Sequence, residues 1–291
     1  MSLYGLKQAS RQWNKTLIAR LMEIGFEQCP ADPCLLRLIV GGELAGVVVI
    51  YVDDIMFAGC KPVGDGVAKA LDAAFPVKNL GDVKWFMGNH YERDRKRGLL
   101  RVTQTRFIEN MLSKFDGFVE THGTSSLPAC TTVDLRPLGD DEDATGKPFR
   151  EVVGSLMWVA NQTRPDISNA VRAVARHSHD PKMKHWKAAA KILKYLRGTS
   201  SLGLTFRKRN KLSVARLVVY ADANYASADT DRRSVSAGVV LLAGAAIAWI
   251  SRTQKCVTLS TTEAEYVAIT DTLKEGKHVK NVLSFVDFAR R

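Results

Sequence analysis

Asp53 and Asp54 are adjacent carboxylates enclosed by apolar sequence: the run 44–50 leads into Tyr51-Val52, and Ile55-Met56-Phe57-Ala58 follows. Two runs of β-branched and large apolar residues around a polar pair read as a β-hairpin with the acids at its tip. Holding two carboxylates among apolar neighbours costs free energy, which a divalent cation would offset. Two such cations about 3.5–4 Å apart are the usual device for in-line phosphoryl transfer. The same pattern also fits an exposed Asp-Asp turn without chemistry, because Asp is a common turn residue.

A second acidic set lies near the carboxyl end of the sequence. Asp222 follows Leu217-Val218-Val219-Tyr220-Ala221 and is expected at the end of a buried strand. Ser260-Thr261-Thr262-Glu263 matches the capping-box pattern, which gives Glu263 a structural task at a helix start. Glu265 lies roughly 200° further around that helix, so it does not share the task and is free to turn toward Asp222. A strand-end Asp facing a helix Glu could begin a metal site; an ordinary surface Glu is the commoner explanation of the same spacing. A third set is basic. Lys184, Lys187, Lys191 and Lys194 recur at helical spacing and form one face, suited either to a phosphate backbone or to plain solvation.

The elements that must position these residues follow from periodicity. A helix is expected over 10–24, capped by Ser10, with Trp13, Leu17, Leu21 and Ile24 on one face and Gly25 as its stop. Strands are expected over 34–40, 44–52 and 55–58, the first two joined at Gly41-Gly42, then a short helix marked by Val67, Leu71 and Phe75. Strands over 83–91 and 99–102 flank a charged turn at 92–98, and Phe107, Met111 and Phe115 mark the next helix. From 116 to 148 Gly, Pro, Thr and Asp dominate, with the acidic cluster Asp140-Asp141-Glu142-Asp143, which reads as a linker or long surface loop. Helices over 149–161, 165–177 and 185–197 precede strands over 202–206, 214–221, 235–242, 246–250 and 256–259, and a helix begins at Ser260.

Bulk composition narrows the function. In 291 residues, 46% hydrophobic and 25% charged is the balance of a globular protein. No apolar run approaches the ~20 residues that span a bilayer, and residues 1–7 lack the apolar core of a signal peptide. The net charge of +12 favours a polyanionic partner, with nucleic acid ahead of membrane because no basic segment carries a large apolar face. The five cysteines are scattered and complete no zinc site, so free thiols in a reducing cytosol or nucleus are expected.

Several segments together resemble the copia-type LTR-retrotransposon reverse transcriptase followed by its ribonuclease H. Leu3-Tyr4-Gly5-Leu6-Lys7-Gln8-Ala9-Ser10-Arg11-Gln12-Trp13 resembles the template- and nucleotide-contacting motif, with Ser10 where Pro is usual. Tyr51-Val52-Asp53-Asp54 resembles the polymerase metal-binding hairpin, and Leu80-Gly81-Asp82-Val83-Lys84-Trp85-Phe86-Met87-Gly88 the primer grip. The ribonuclease H likeness rests on 220–226, Asp231-Arg232-Arg233-Ser234 and 259–266, with Asn224 where a second Asp is frequent.

The resemblance implies an α+β fold: a partial palm and thumb over 1–115, a linker over 116–148, a helical connection over 149–207, and a partial ribonuclease H-like α/β domain over 208–291. It implies Asp53, Asp54, Asp222 and Glu265 as catalytic carboxylates and Mg²⁺ ligands in two-metal sites. Lys7, Gln8 and Tyr51 would serve the template and nucleotide, and Met87 and Gly88 the primer end. Lys184, Lys187, Lys191 and Lys194 are added as a nucleic-acid-binding face. The implied partners are RNA/DNA hybrid, primer-template and dNTP, within a Pol polyprotein in a cytoplasmic virus-like particle or the nucleus. Further family carboxylates upstream and downstream have no counterpart in this sequence, so a fragment impaired in catalysis is expected. A basic module that grips hybrid without turnover is the alternative. The strand 217–221 is expected to keep one unpaired, aggregation-prone edge.

Overall fold

The computed structural model describes residues 6–120, 123–129, 135, 146–208, 216–227 and 231–286, and the chain divides into two compact units, 1–87 with 277–291 and 88–276. Mixed helix and antiparallel sheet make it an α+β fold.

In the first unit, α1 (Ala9–Glu23) buries Leu17, Ile18 and Leu21. Its cap position is Gln8 rather than Ser10, and no side chain caps it. Gly25, at φ +95°, ends it as expected. β1 (Phe26–Gln28), β2 (Leu35–Val40), β3 (Glu43–Tyr51) and β4 (Asp54–Gly59) form one sheet in chain order. β1 was too short to show a sequence period. Gly41 and Gly42 both take positive φ, the signature of a type I′ hairpin turn that matches strand twist. α2 (Lys61–Asp72) follows, and Val67 and Leu71 join Leu17, Leu21, Phe26, Leu36, Val48 and Ile50 in the core. Phe75 lies beyond the end of α2 but still packs on this core. β5 (Trp85–Phe86) is a short strand.

The second unit begins with β6 (Asn89–Asp94) and β7 (Leu99–Thr103). The single strand expected over 83–91 is interrupted, because Met87 and Gly88 take φ values of +51° and +74° and no ladder runs through such backbone. α3 (Thr105–Phe115), α4 (Phe149–Gln162), α5 (Ser168–Ala175) and α6 (Met183–Gly198) enclose a core that includes Ile108, Phe115, Leu156, Ile167, Trp186 and Leu193. The helix expected over 165–177 is split, with a 3₁₀ turn at Pro165–Ile167 ahead of α5. The acidic cluster at 140–143 lies outside the described residues.

β8 (Gly203–Arg207) pairs antiparallel with β7, from Thr103↔Gly203 to Leu99↔Arg207, and so joins the β6–β7 hairpin rather than the strands that follow it. β9 (Leu217–Asn224), β10 (Val235–Leu242) and β11 (Ala245–Thr253) form an antiparallel sheet in the order β11-β10-β9. The segment 256–259 is not a strand: Thr258 is buried and its hydroxyl meets that of Ser234 at 2.9 Å, a tertiary bond in place of a ladder. α7 (Thr261–Phe285) turns Ala264, Ala268, Thr272 and Gly276 inward. These small residues let the helix close on the sheet. A Cβ at Gly238 would sit 2.1 Å from Thr272 Oγ1, and one at Gly276 2.9 Å from a Val219 methyl.

Candidate active site

β3 and β4 pair up to Tyr51↔Asp54, which leaves Val52 and Asp53 as a two-residue turn. Val52 has φ +53° while Asp53 stays out of the left-handed region. Positive φ at the first central position alone is the type II′ pattern, normally given to Gly. A β-branched residue there is strained by on the order of 1–3 kcal/mol, and such strain persists only where the surroundings fix it. One fixing contact is visible. The Trp13 indole N–H donates to the Val52 carbonyl at 3.0 Å, and the indole sits edge-on to Phe75, with ring centroids 5.1 Å apart. Below the tip, Val48 and Ile50 anchor β3 in the core.

Asp53 and Asp54 are both exposed, and among the described residues neither carboxylate has a hydrogen bond or ion pair. The apolar flanks do not bury the acids, as the sequence pattern had suggested; they bury the strands that carry them. Among the described residues no group of three or more His, Cys, Asp or Glu is placed to hold a metal ion. Two adjacent, unpaired carboxylates nonetheless fit Mg²⁺, which commonly takes one or two carboxylates and completes its octahedron with water and substrate phosphates.

The other predicted polymerase residues differ in exposure. Tyr51 is exposed at the end of β3. Lys7 and Gln8 are exposed at the start of α1. Gln8 lies five residues before Trp13, about 7.5 Å along the axis at 1.5 Å per residue. Met87 is half-buried and Gly88 exposed, at the break described above.

Asp222 lies inside β9, not at its end, because the strand runs on to Asn224. It pairs with Ala237, whereas Ala221 pairs with Gly238, the residue that abuts Thr272 of α7. Alternation along the strand therefore turns Asp222 to the sheet face away from α7. Glu265 is half-buried on α7, on the same flank as Gly276, which touches Val219. The fold thus does not gather Asp222 and Glu265 on one face. The neighbouring helix start matches its expectation: Glu263 N–H donates to Ser260 Oγ at 3.1 Å, and Leu259 N–H to Glu263 Oε2 at 2.6 Å. β9 is the edge of its sheet, and Tyr220, Asp222 and Asn224 are its exposed positions.

On α6, Trp186, Leu193 and Leu196 are buried and Lys187 is exposed, while Lys184, Lys191 and Lys194 are half-buried. The lysine face is thus only partly open. Sequence reasoning missed the network beside it. Arg164, 1% exposed, donates to Asp166 from Nε and Nη2 and to the Thr199 carbonyl at 2.8 Å, and the Tyr195 hydroxyl donates to Asp166 at 2.8 Å. The available signal was a charged pair flanking Pro165 between two apolar helices. The role of Trp13 was equally hidden, since it read only as one of a helix face.

Residues 1–128 match the family described as "Reverse transcriptase (RNA-dependent DNA polymerase)". The chain is 34% identical over 293 residues to the retrovirus-related Pol polyprotein from transposon TNT 1-94 of Nicotiana tabacum, covering 97% of this chain and 21% of that protein. It is 33% identical to the retrovirus-related Pol polyprotein from transposon RE2 of Arabidopsis thaliana, covering 97% and 19%. The chain thus spans about a fifth of the length of these polyproteins. It is also 30% identical to the putative transposon Ty5-1 protein of Saccharomyces cerevisiae, covering 94% of this chain and 87% of that one. No solved structure matches significantly. Among the described residues no helix is long and apolar enough to cross a membrane. With these matches across nearly its whole length, the chain belongs to the copia-type LTR-retrotransposon Pol polyprotein family.

Proposed function

We propose that this chain supplies palm, primer-grip and thumb elements of an RNA-directed DNA polymerase, followed by a helical connection and a ribonuclease H-like region, within a Pol polyprotein. The observation that carries the polymerase reading is the bare Asp53–Asp54 pair, on a strained turn braced by Trp13. Asp53 and Asp54 would hold Mg²⁺. Bound there, Mg²⁺ would neutralise the incoming triphosphate and the developing charge of phosphoryl transfer. Lys7 and Gln8 would contact template and dNTP, Tyr51 would flank the pocket, and Met87 and Gly88 would hold the primer end. The ribonuclease H assignment of Asp222 and Glu265 rests on motif likeness, since the two sit on different sides of β9.

Two-metal transfer steadies both attacking and leaving oxygens, and a pair of carboxylates per site holds two cations loosely. Weak turnover by the isolated chain is therefore the expectation. A second reading, a basic module that grips RNA/DNA hybrid without turnover, is favoured by the net charge of +12 and by the absence of a larger acidic cluster among the described residues.

Primer extension on an RNA template with Mg²⁺, run beside hybrid-binding measurements, separates the two. Extension lost in Asp53→Asn supports the polymerase. Salt-sensitive hybrid binding with no extension supports the module. A chain that neither extends a primer nor binds hybrid at low salt defeats both.

A further inference from the structure

The geometry points to one end of the β6–β7–β8 sheet as a contact surface for the phosphate backbone of a nucleic-acid duplex, an inference that rests on the functional reading above. The turn between β6 and β7 carries Lys96 and Arg97, both exposed. More than a hundred positions later, β8 ends in Arg207 and Lys208, also exposed. The fold sets the two segments side by side. Leu99 pairs with Arg207, and Lys208 N–H donates to the Gly98 carbonyl at 2.7 Å. A Cβ on Gly98 would meet Lys208 Cβ at 2.9 Å, so Gly98 is where the turn and the end of β8 touch.

Among the described residues one ion pair reaches these four side chains. Asp94 reaches Arg97 at 3.6 Å, with 42% and 79% of the side chains exposed, a weak surface pair. The next acid inward, Glu92, faces Arg101 at 3.9 Å and is matched there. Neighbouring strands lie about 4.8 Å apart, so the turn and the end of β8 span about 10 Å. That is about one Debye length at 0.1 M salt, within which four cations repel one another. A polyanion relieves this repulsion and releases its own condensed counterions on binding. An exposed basic sheet end without a cleft suits the repeating phosphates of a duplex, and backbone contacts of this kind position a strand without reading its sequence.

The test uses the whole chain and a fluorescein-labelled RNA/DNA hybrid, with anisotropy measured across a salt series. Lys96→Gln, Arg97→Gln, Arg207→Gln and Lys208→Gln together should make the plot of log affinity against log salt shallower by about 3, and weaken binding by about tenfold or more at 0.1 M salt. Thermal melting should match the parent, because all four side chains are exposed; if the four-fold variant does not fold, the two turn substitutions alone carry the test with a proportionate change. A comparison variant, Lys277→Gln with Lys280→Gln, both exposed on α7, reports the effect of net charge alone. An equal slope change per charge removed in both variants, or an unchanged slope in the four-fold variant, overturns the surface and leaves the functional reading standing. A parent chain that fails to bind the hybrid overturns the functional reading itself.

Discussion

The hairpin tip and the junction between α4 and α5 both present carboxylates, and the fold treats them in opposite ways. Asp166 lies against the buried Arg164 and also accepts from Tyr195. Burial alone would raise its carboxyl, but the hydrogen bonds and charge of Arg164, with the Tyr195 hydroxyl, hold it below the usual range. Asp53 and Asp54 stand in solvent without partners among the described residues. A carboxylate whose oxygens are already engaged fixes the fold and has little left for a ligand. A bare pair on a rigid turn contributes little to stability and keeps its lone pairs for a cation. The burial of strongly paired charge and the exposure of unpaired charge therefore mark structure and chemistry respectively.

Breaking the buried side of this comparison should cost most. Arg164→Met leaves Asp166 without its cation and the Thr199 carbonyl without its donor, and should destabilise by about 1–3 kcal/mol in urea unfolding, since Asp166 itself is about a third exposed. A loss below about 1 kcal/mol would mean that the network is not a structural anchor. Trp13→Phe keeps the packing on Phe75 but removes the donor to Val52, and should cost about 0.5–1.5 kcal/mol in the same measurement. It should also slow any Mg²⁺-dependent extension while leaving the affinity for hybrid unchanged.

Acid sharpens the contrast. His177 stacks on His185, with ring centroids 3.9 Å apart, and burial together with the charges of His185, Arg176 and Lys184 pushes its imidazole down from 6.5 to about 4. As the pH falls below about 6.5 the unfolded chain takes up this proton first, so stability present at neutral pH is lost on the way to about 4. Melting curves from pH 7 to 4 should therefore converge in part for His177→Gln and the parent. The smallest effect belongs to the tip. Asp53→Asn with Asp54→Asn should change unfolding free energy by no more than about 0.5 kcal/mol, while removing any Mg²⁺ dependence of hybrid binding or extension. A large stability loss there would mean that these acids serve the fold after all.

Much of the molecule could be read ahead of the coordinates where one residue type decides one conformation. Gly41-Gly42 dictated the β2–β3 turn, and Gly25 stopped α1. Ser260 with Glu263 dictated the start of α7, because each of these acts through its own few neighbours. Reading failed where partners lie far apart in sequence. The strand expected over 256–259 had the right composition but no neighbouring strand, and Thr258 bonds to Ser234 instead. β8 was legible as a strand but not as the partner of β7, about a hundred residues earlier.

The same division holds for the sites. Adjacency in the chain alone brings Asp53 and Asp54 together, since Asp53 closes the turn and Asp54 opens β4. Asp222 and Glu265 depend on strand register and on which face of the sheet the helix covers. A strand alternates faces at every residue, so a single position decides the side on which a carboxylate emerges. The sequence by itself settled the family, the hairpin and its acids. Only packing settled that Trp13 braces the turn, that Arg164 is buried, and that the second acidic pair is divided by its own strand, because those outcomes depend on contacts that no local window contains.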